Sequence, residues 1–161
     1  MRFALLAVAA AFLAVDPASA NSVKVGTLEL TDLWTRATPP NAPTAGGYLT
    51  ITNTGDVPDR LVAVSSPQAG TGGVHEMRVD DGVMTMRPVD GGIEIPPNAT
   101  VTLAPGGFHI MFIDLKAPLR EGDDFPVTIT FEKAGSIETF LHVKAIGAKD
   151  AGGDQGGGHA Q

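Results

Sequence analysis

Residues 75–86 read HEMRVDDGVMTM, two alternating segments separated by an acidic pair and a glycine. Asp81-Gly82 is a favoured two-residue turn between antiparallel strands. With that turn, Met77 lies opposite Met86. Because side chains alternate across a strand, His75 shares a face with both methionines. The stretch therefore predicts a β-hairpin, and a fold built from strands.

The register of this hairpin decides which side chains meet. A two-residue loop sets Met84 opposite Val79, and it sets Glu76 opposite Arg87 on the other face, where the two charges can pair. A three-residue loop formed by residues 80–82 would change the parity and move alternate side chains to the wrong face. The pattern favours the two-residue register.

Short alternating segments separated by turn residues continue along the chain, and no helical stripe follows the N-terminal segment. A proline-rich loop is expected at 35–45. The strand-like segments are 23–31, 47–54, 60–66, 72–79, 83–89, 100–103, 108–115, 125–132 and 136–146. Many short strands with glycine and proline between them predict an all-β domain, either a sandwich or a barrel.

The two ends of the chain have different compositions from the middle. Residues 1–20 combine a basic residue, a short apolar run and small residues at the end, which is the pattern of a secretory signal peptide. The apolar run is shorter than the roughly 20 residues of a spanning helix, so a cleaved signal is favoured over a stable membrane anchor. We expect the mature domain at 21–147 and a flexible glycine-rich tail at 148–161.

Charge and cysteine content exclude several classes of function. The net charge is −7 and the pI is about 4.9, with no basic patch, so nucleic acid is not an expected partner. The chain has no cysteine. Disulfides, thiolate metal sites and a lipidated cysteine are therefore excluded within this sequence, and any soft metal ligand must be a methionine.

The methionines are clustered. Apart from Met1, all of them lie between residues 77 and 111, and His75 and His109 border or enter the same window. Methionine usually fills gaps throughout a core, so this clustering indicates a shared task. Residues 109–111, read as a strand, place a second histidine and methionine on one face.

The chemistry of these donors points to copper. Thioether sulfur is a soft, neutral donor that suits copper(I) and is poor for zinc, magnesium or calcium, whereas imidazole binds copper in either oxidation state. Two histidines and two methionines include no anion, so such a set favours copper(I) over copper(II). A blue-copper site would need a cysteine. From residue types alone, the alternative remains that the methionines line a β-core and the histidines lie at the surface.

The segment from His75 to Met111 resembles the periplasmic copper chaperones of the PCu(A)C family. Their signature is a histidine, a methionine after ten residues, a longer spacer and then His-x-Met. Here ten residues separate His75 from Met86, and 22 more lead to His109-Ile110-Met111. The resemblance continues outside the motif, through 34–40, 45–48, 119–123 and 130–135.

The resemblance implies a cupredoxin-like Greek-key β-sandwich in the periplasm, with copper(I) held by His75, Met86, His109 and Met111. It implies a metallochaperone and not an enzyme. Such a protein delivers copper by ligand exchange, for the assembly of cytochrome c oxidase copper centres. The oxidase copper-binding subunit and a Sco-type thiol protein are the implied partners. Met77 lies outside the strict motif, as either an alternate ligand or packing around the site, and the same choice applies to Met84.

Other interpretations are a copper buffer or resistance protein without specific delivery, a copper redox enzyme, and a metal-free adhesion-type sandwich. The tail offers His159 and no methionine, which puts a second, copper(II) site there in doubt. His142 alternates with apolar residues and is read as a structural histidine. Trp34 is read as a packing residue, with a cation–π cover over copper(I) as the alternative.

Overall fold

The computed structural model describes residues 22–152, and this part of the chain forms β-strands and no helix. The predicted signal peptide at 1–20 and the chain beyond 152 lie outside the described residues. The strands are β1 (Val23–Val25), β2 (Leu28–Arg36), β3 (Thr44–Asn53), β4 (Asp59–Ser65), β5 (Thr71–Asp80), β6 (Val83–Pro88), β7 (Ile93–Ile95), β8 (Thr100–Leu103), β9 (Phe108–Ile113), β10 (Asp124–Phe131) and β11 (Gly135–Lys144). Within the described range, nothing helical has the length and apolarity to cross a bilayer.

Hydrogen bonds join the strands into one 11-stranded sheet in the order β6-β5-β9-β3-β2-β11-β10-β4-β7, with β1 paired to β2 and β8 to β3. Among the described strands, only the pairing of β11 with β2 is parallel. The two ends of the path, β6 and β7, are not paired with each other in this range, so the sheet is not a closed barrel. The prediction of an all-β domain is confirmed.

The sheet folds over one hydrophobic core. On β10, Phe125, Val127, Ile129 and Phe131 are buried and the residues between them are more exposed, which is the alternation of a strand with one face inward. Phe125 meets Phe112 of β9 edge to face, with ring centroids 4.9 Å apart. Each fully buried side chain of this size contributes roughly 1.5–3 kcal/mol. The core thus fixes which face of β9 points away from it.

Strand β2 begins and ends later than the sequence predicts. Gly26, at φ 57°, turns the chain between β1 and β2, where a single strand over 23–31 was expected. Asp32, at φ 51°, lies where the pairing with β3 shifts register, and after this irregularity Trp34 and Thr35 are both buried. The predicted loop at 35–45 is therefore shorter, because burial draws its first residues into the sheet.

Strand β7 was not predicted. It is only three residues long and stands between Gly92 and Pro96, where composition alone favours a loop. Ile93 and Ile95 are both buried, and the strand pairs with β4 at one end of the sheet. Burial of two isoleucines decides this element, and a propensity argument does not see it.

The hairpin of β5 and β6 has the predicted two-residue register. Asp81 and Gly82 form the turn with φ values of 52° and 80°, the left-handed pair that a tight hairpin requires. Met77 lies opposite Met86, and the pairing continues to the turn with Val79 opposite Met84. All four side chains therefore lie on one face of the ribbon.

The predicted ion pair across this hairpin does not form. Glu76 does lie opposite Arg87, but Arg87 pairs with Asp80 at 3.3 Å and Glu76 approaches Arg78 at 3.9 Å. Both arginines are more than half exposed, so each follows the nearest carboxylate at little energetic cost. Facing residues were predicted correctly, and the partners of their long side chains were not.

The chain after β11 packs back onto the sheet. Ala148 is buried against the rings of Trp34 and Tyr48, and its carbonyl accepts a hydrogen bond of 2.6 Å from Nε of Arg36. Residues 148–152, the described start of the predicted tail, are thus partly packed where glycine content predicted flexibility. The domain bounds 21–147 and 148–161 stay predictions.

Candidate metal centre

The centre is built on β9, which lies between β3 and β5. Ile110 and Phe112 point into the core, so His109 and Met111 lie on the opposite face. His109 faces His75 of β5 across the strand pair, and the two rings meet edge to face with centroids 6.1 Å apart. The two histidines of the predicted site are therefore brought together.

Met111 lies between two glycines, Gly46 on β3 and Gly73 on β5. A Cβ added at Gly73 would meet nothing within 4 Å, and one at Gly46 would come within 2.7 Å of the Tyr48 hydroxyl oxygen. Gly73 therefore leaves open space on one side of Met111, and Gly46 makes room on the other side for the Tyr48 hydroxyl. The surface around Met111 is consequently a depression rather than a filled layer.

Two further thioethers come from the neighbouring hairpin. Met77 and Met86 line the same cavity, of about 230 Å³, as His109 and Met111. Met84 is not among the described residues that line it, and its side chain is 62 % exposed towards the turn. Three of the four predicted ligands, Met86, His109 and Met111, therefore line one cavity together with Met77. The fourth, His75, does not line the cavity but lies against His109, and Met84 is left out.

His109 is fixed in one orientation. It is 5 % exposed, and its Nδ1 lies 3.0 Å from the carbonyl oxygen of Gly107. Nδ1–H donates to this carbonyl, so Nε2 keeps its lone pair. The backbone N–H of Met77 donates to the same oxygen at 3.1 Å. One carbonyl thus orients the ring and ties β5 to the loop before β9.

His75 carries an unsatisfied nitrogen. Its Nδ1 is buried and has no hydrogen-bond partner among the described residues. Burial of the ring, and secondarily the neighbouring His109, lowers the pKa of His75 from its ordinary value, so the neutral form is favoured near neutral pH. A buried polar atom without a partner costs about 1–3 kcal/mol. A metal ion that accepts the Nδ1 lone pair would remove the penalty, so the donor set fits a soft cation.

Arg36 and Tyr48 form the wall of the cavity opposite the hairpin. The guanidinium carbon of Arg36 lies 5.7 Å from the Tyr48 ring centroid and 6.0 Å from that of Trp34. Burial raises the pKa of the Tyr48 hydroxyl, and Arg36 opposes part of that rise. Sequence reasoning did not single out either wall residue. Both lie in segments that carry the family resemblance, which was the available signal.

Trp34 packs beneath Tyr48, with centroids 4.5 Å apart, and does not line the cavity. Its reading as a packing residue is thereby favoured. His142 lies on β11, where its Nδ1 is 3.1 Å from Oδ1 of Asp124. In residues 22–152, no three carboxylate or histidine side chains converge as a metal site.

A family model described as "Putative lipoprotein LpqE-like" matches residues 28–143. A curated relative, "Putative lipoprotein Lxx21020" of Leifsonia xyli subsp. xyli (strain CTCB07), is 32% identical over 117 residues. The match covers 73% of this chain and 69% of the relative.

Solved structures agree with this match. The copper-bound PCuAC domain from PmoF2 superimposes with a TM-score of 0.66 at 29% identity, covering 78% of this chain and 98% of that domain. The CuI-DR1885 structure from Deinococcus radiodurans gives a TM-score of 0.54 at 26% identity, covering 79% and 83%. The expected cupredoxin-like β-sandwich is confirmed by these similarities.

Proposed function

We propose that the protein is a copper(I) metallochaperone. The proposal starts from the family: this chain belongs to the LpqE-like family, which is the PCu(A)C family. Two solved relatives are described as copper-bound or in the copper(I) form. The observation that carries the proposal is a cavity lined by His109 and three thioethers, with His75 packed against His109 and its buried Nδ1 without a partner among the described residues.

The proposed ligands are His75, Met86, His109 and Met111. His109 binds through Nε2, because Nδ1 donates to the Gly107 carbonyl. His75 binds through Nδ1, which is the atom left without a partner in the described residues. All four donors are neutral, so the bound ion keeps its single positive charge, and copper(I) is preferred over copper(II).

The placement of Met86 supports delivery rather than storage. His109 is nearly fully buried, whereas Met86 is 42 % exposed and sits on β6, the edge strand of the sheet. An incoming donor from another protein can approach on the Met86 side while the buried histidine still holds the ion. A buffer protein would gain from the opposite arrangement, with every ligand enclosed. We therefore favour the chaperone over the buffer or resistance protein.

Transfer proceeds by ligand exchange in this proposal. One thioether–copper bond breaks as a bond to the acceptor's donor forms, and the oxidation state does not change. No proton is required, because a thioether has none to gain near neutral pH. A copper redox enzyme is disfavoured by the same ligands, since it needs a stable copper(II) state.

The recipient we propose is the copper-binding subunit of cytochrome c oxidase, with a Sco-type thiol protein as co-worker. The support is the resemblance to the PCu(A)C chaperones. The signal-peptide pattern at 1–20 and the word lipoprotein in the family description support a location outside the cytoplasm, in the periplasm. Since none of the 161 residues is a cysteine, this sequence offers no thiol for a lipid.

The test is an anaerobic copper(I) titration of the mature protein against a chromogenic chelator, followed by X-ray absorption at the copper edge. We expect one tight ion per chain and a shell of nitrogen and sulfur. A copper shell made of oxygen atoms alone would contradict the proposal. Mixing the loaded protein with the apo oxidase subunit then separates a chaperone, which loses copper to the subunit, from a buffer, which retains it.

A further inference from the structure

We propose that Met77 is a fifth copper(I) donor, which exchanges with Met86 while the ion is handed over. The inference rests on the proposed function and deepens it. Neither the family signature nor the alternation of the strand assigns this role to Met77. The assignment comes from its position in the cavity.

The two thioethers are placed as a pair. Met77 lies directly opposite Met86 in the hairpin, and both line the cavity that contains His109 and Met111. Side chains that face each other across an antiparallel pair have Cβ atoms roughly 4.5–5.5 Å apart. A methionine side chain has three rotatable bonds and easily spans that distance. The same ion is therefore within reach of either sulfur.

The backbone at Met77 is held more firmly than at Met86. Met77 lies on β5, which pairs with both β6 and β9, and its N–H also donates to the carbonyl of Gly107 that orients His109. Met86 lies on the edge strand β6. Copper carried by Met77 thus stays with the anchored half of the site, and copper carried by Met86 is presented towards solvent.

Ordinary packing does not explain Met77. Among the described residues, neither hydrophobic cluster includes it. On this face of the hairpin, the side chains near the turn are exposed, with Val79 at 65 % and Met84 at 62 %. Met77, farther from the turn, is half-buried. Met77 therefore lies beside the proposed site and outside the described core clusters.

The exchange is balanced without a further reactant. A bond from the Met77 sulfur to copper(I) forms as the bond from the Met86 sulfur breaks, and charge and oxidation state are unchanged. His75, His109 and Met111 hold the ion throughout. Met86 is then free to turn outward, and the vacated position can accept a donor from another protein.

A double-mutant cycle tests the exchange. Met77→Leu and Met86→Leu keep volume and remove only the sulfur. We expect each single variant to lose no more than about threefold in copper(I) affinity. The double variant should lose roughly tenfold more than the product of the two, as coupled residues do. Met84→Leu is the matched control, since it removes a thioether from the same face outside the cavity, and combined with Met86→Leu it should show no such excess.

X-ray absorption gives a second readout that affinity alone does not supply. The Met86→Leu protein should keep two sulfurs per copper, and the double variant only one. Losses that simply multiply, or a single sulfur in Met86→Leu, would overturn the role of Met77. If the wild-type protein binds no copper(I), the proposed function fails and this inference with it. If the wild type binds and the cycle shows no excess, only the inference fails. Melting of each apo variant verifies that it is folded.

Discussion

The two faces of β9 differ in what surrounds their side chains. Ile110 and Phe112 are 0 % exposed and are surrounded by core side chains, whereas His109 and Met111 line a cavity. The inner side chains pack within the core, and on the outer face Gly73 leaves open space next to Met111. Because its side chains alternate, β9 contributes to stability with its inner face and to the proposed metal binding with its outer face. Substitutions on the two faces should have opposite signatures.

The largest effect is expected on the inner face. Phe112→Ala should lower the free energy of unfolding by about 3–5 kcal/mol, the range for a buried phenylalanine replaced by alanine. Copper(I) affinity of the protein that remains folded should change by less than about threefold, or 0.7 kcal/mol at 1.4 kcal/mol per tenfold. Urea denaturation and chelator competition measure the two quantities. A folded variant with collapsed affinity would show that the faces are not separable.

His109→Ala tests the outer face in the reverse sense. We expect copper(I) affinity to fall by roughly 100-fold, about 2.7 kcal/mol. The free energy of unfolding of the apo-protein should change by only about 1 kcal/mol, because one hydrogen bond to Gly107 is lost. His142→Ala is the control, a half-exposed histidine paired with Asp124 and remote from β9 in the sheet order. Equal losses in the two variants would contradict the assigned site.

The methionines sharpen the comparison further. Met111→Ala should weaken copper(I) binding by about tenfold, or 1.4 kcal/mol. Met84→Ala should change it by less than about twofold, because Met84 lies outside the cavity. Chelator competition ranks the two variants on one scale. A reversed order would mean that the exposed end of the hairpin, and not β9, holds the ion.

The smallest effect concerns the chain after β11. Deleting 148–161 should lower the free energy of unfolding by about 1 kcal/mol, since a buried alanine and the hydrogen bond from Arg36 to Ala148 are lost. Deleting only 153–161 keeps this packing and should leave stability unchanged. Both truncations should keep their copper(I) affinity. Thermal melting of the two proteins side by side decides, and identical curves would make the contact of Ala148 irrelevant.

Local rules predicted the hairpin and the methionine pair on its face. The Asp81-Gly82 turn and the alternation on either side are contained within a dozen residues, so the register and the shared face of Met77 and Met86 could be derived. The pairing of β5 with β9 could not be derived in this way. Residue spacing alone did not reveal that His75 faces His109, and the ligand set came from family resemblance.

The remaining features depend on contacts between distant parts of the chain. β7 exists because two isoleucines find a place in the core, and the start of the tail is packed because Trp34 and Tyr48 leave a surface for Ala148. Nothing near residue 148 in the sequence encodes that surface. The unpaired Nδ1 of His75 likewise appears only when the folded sheet has buried that atom.

The stacking of Trp34 on Tyr48 gives the protein an optical property. Trp34 is the sole indole in the chain, it is buried, and the phenol in contact with it forms part of the cavity wall. Excitation at the red edge of protein absorbance therefore selects Trp34 alone. This indole is separated by one side chain, Tyr48, from the cavity where the ion would bind. A shift of that wall alters the surroundings of the indole directly. Loading and unloading can then be followed by intrinsic emission in real time, without a dye or a label.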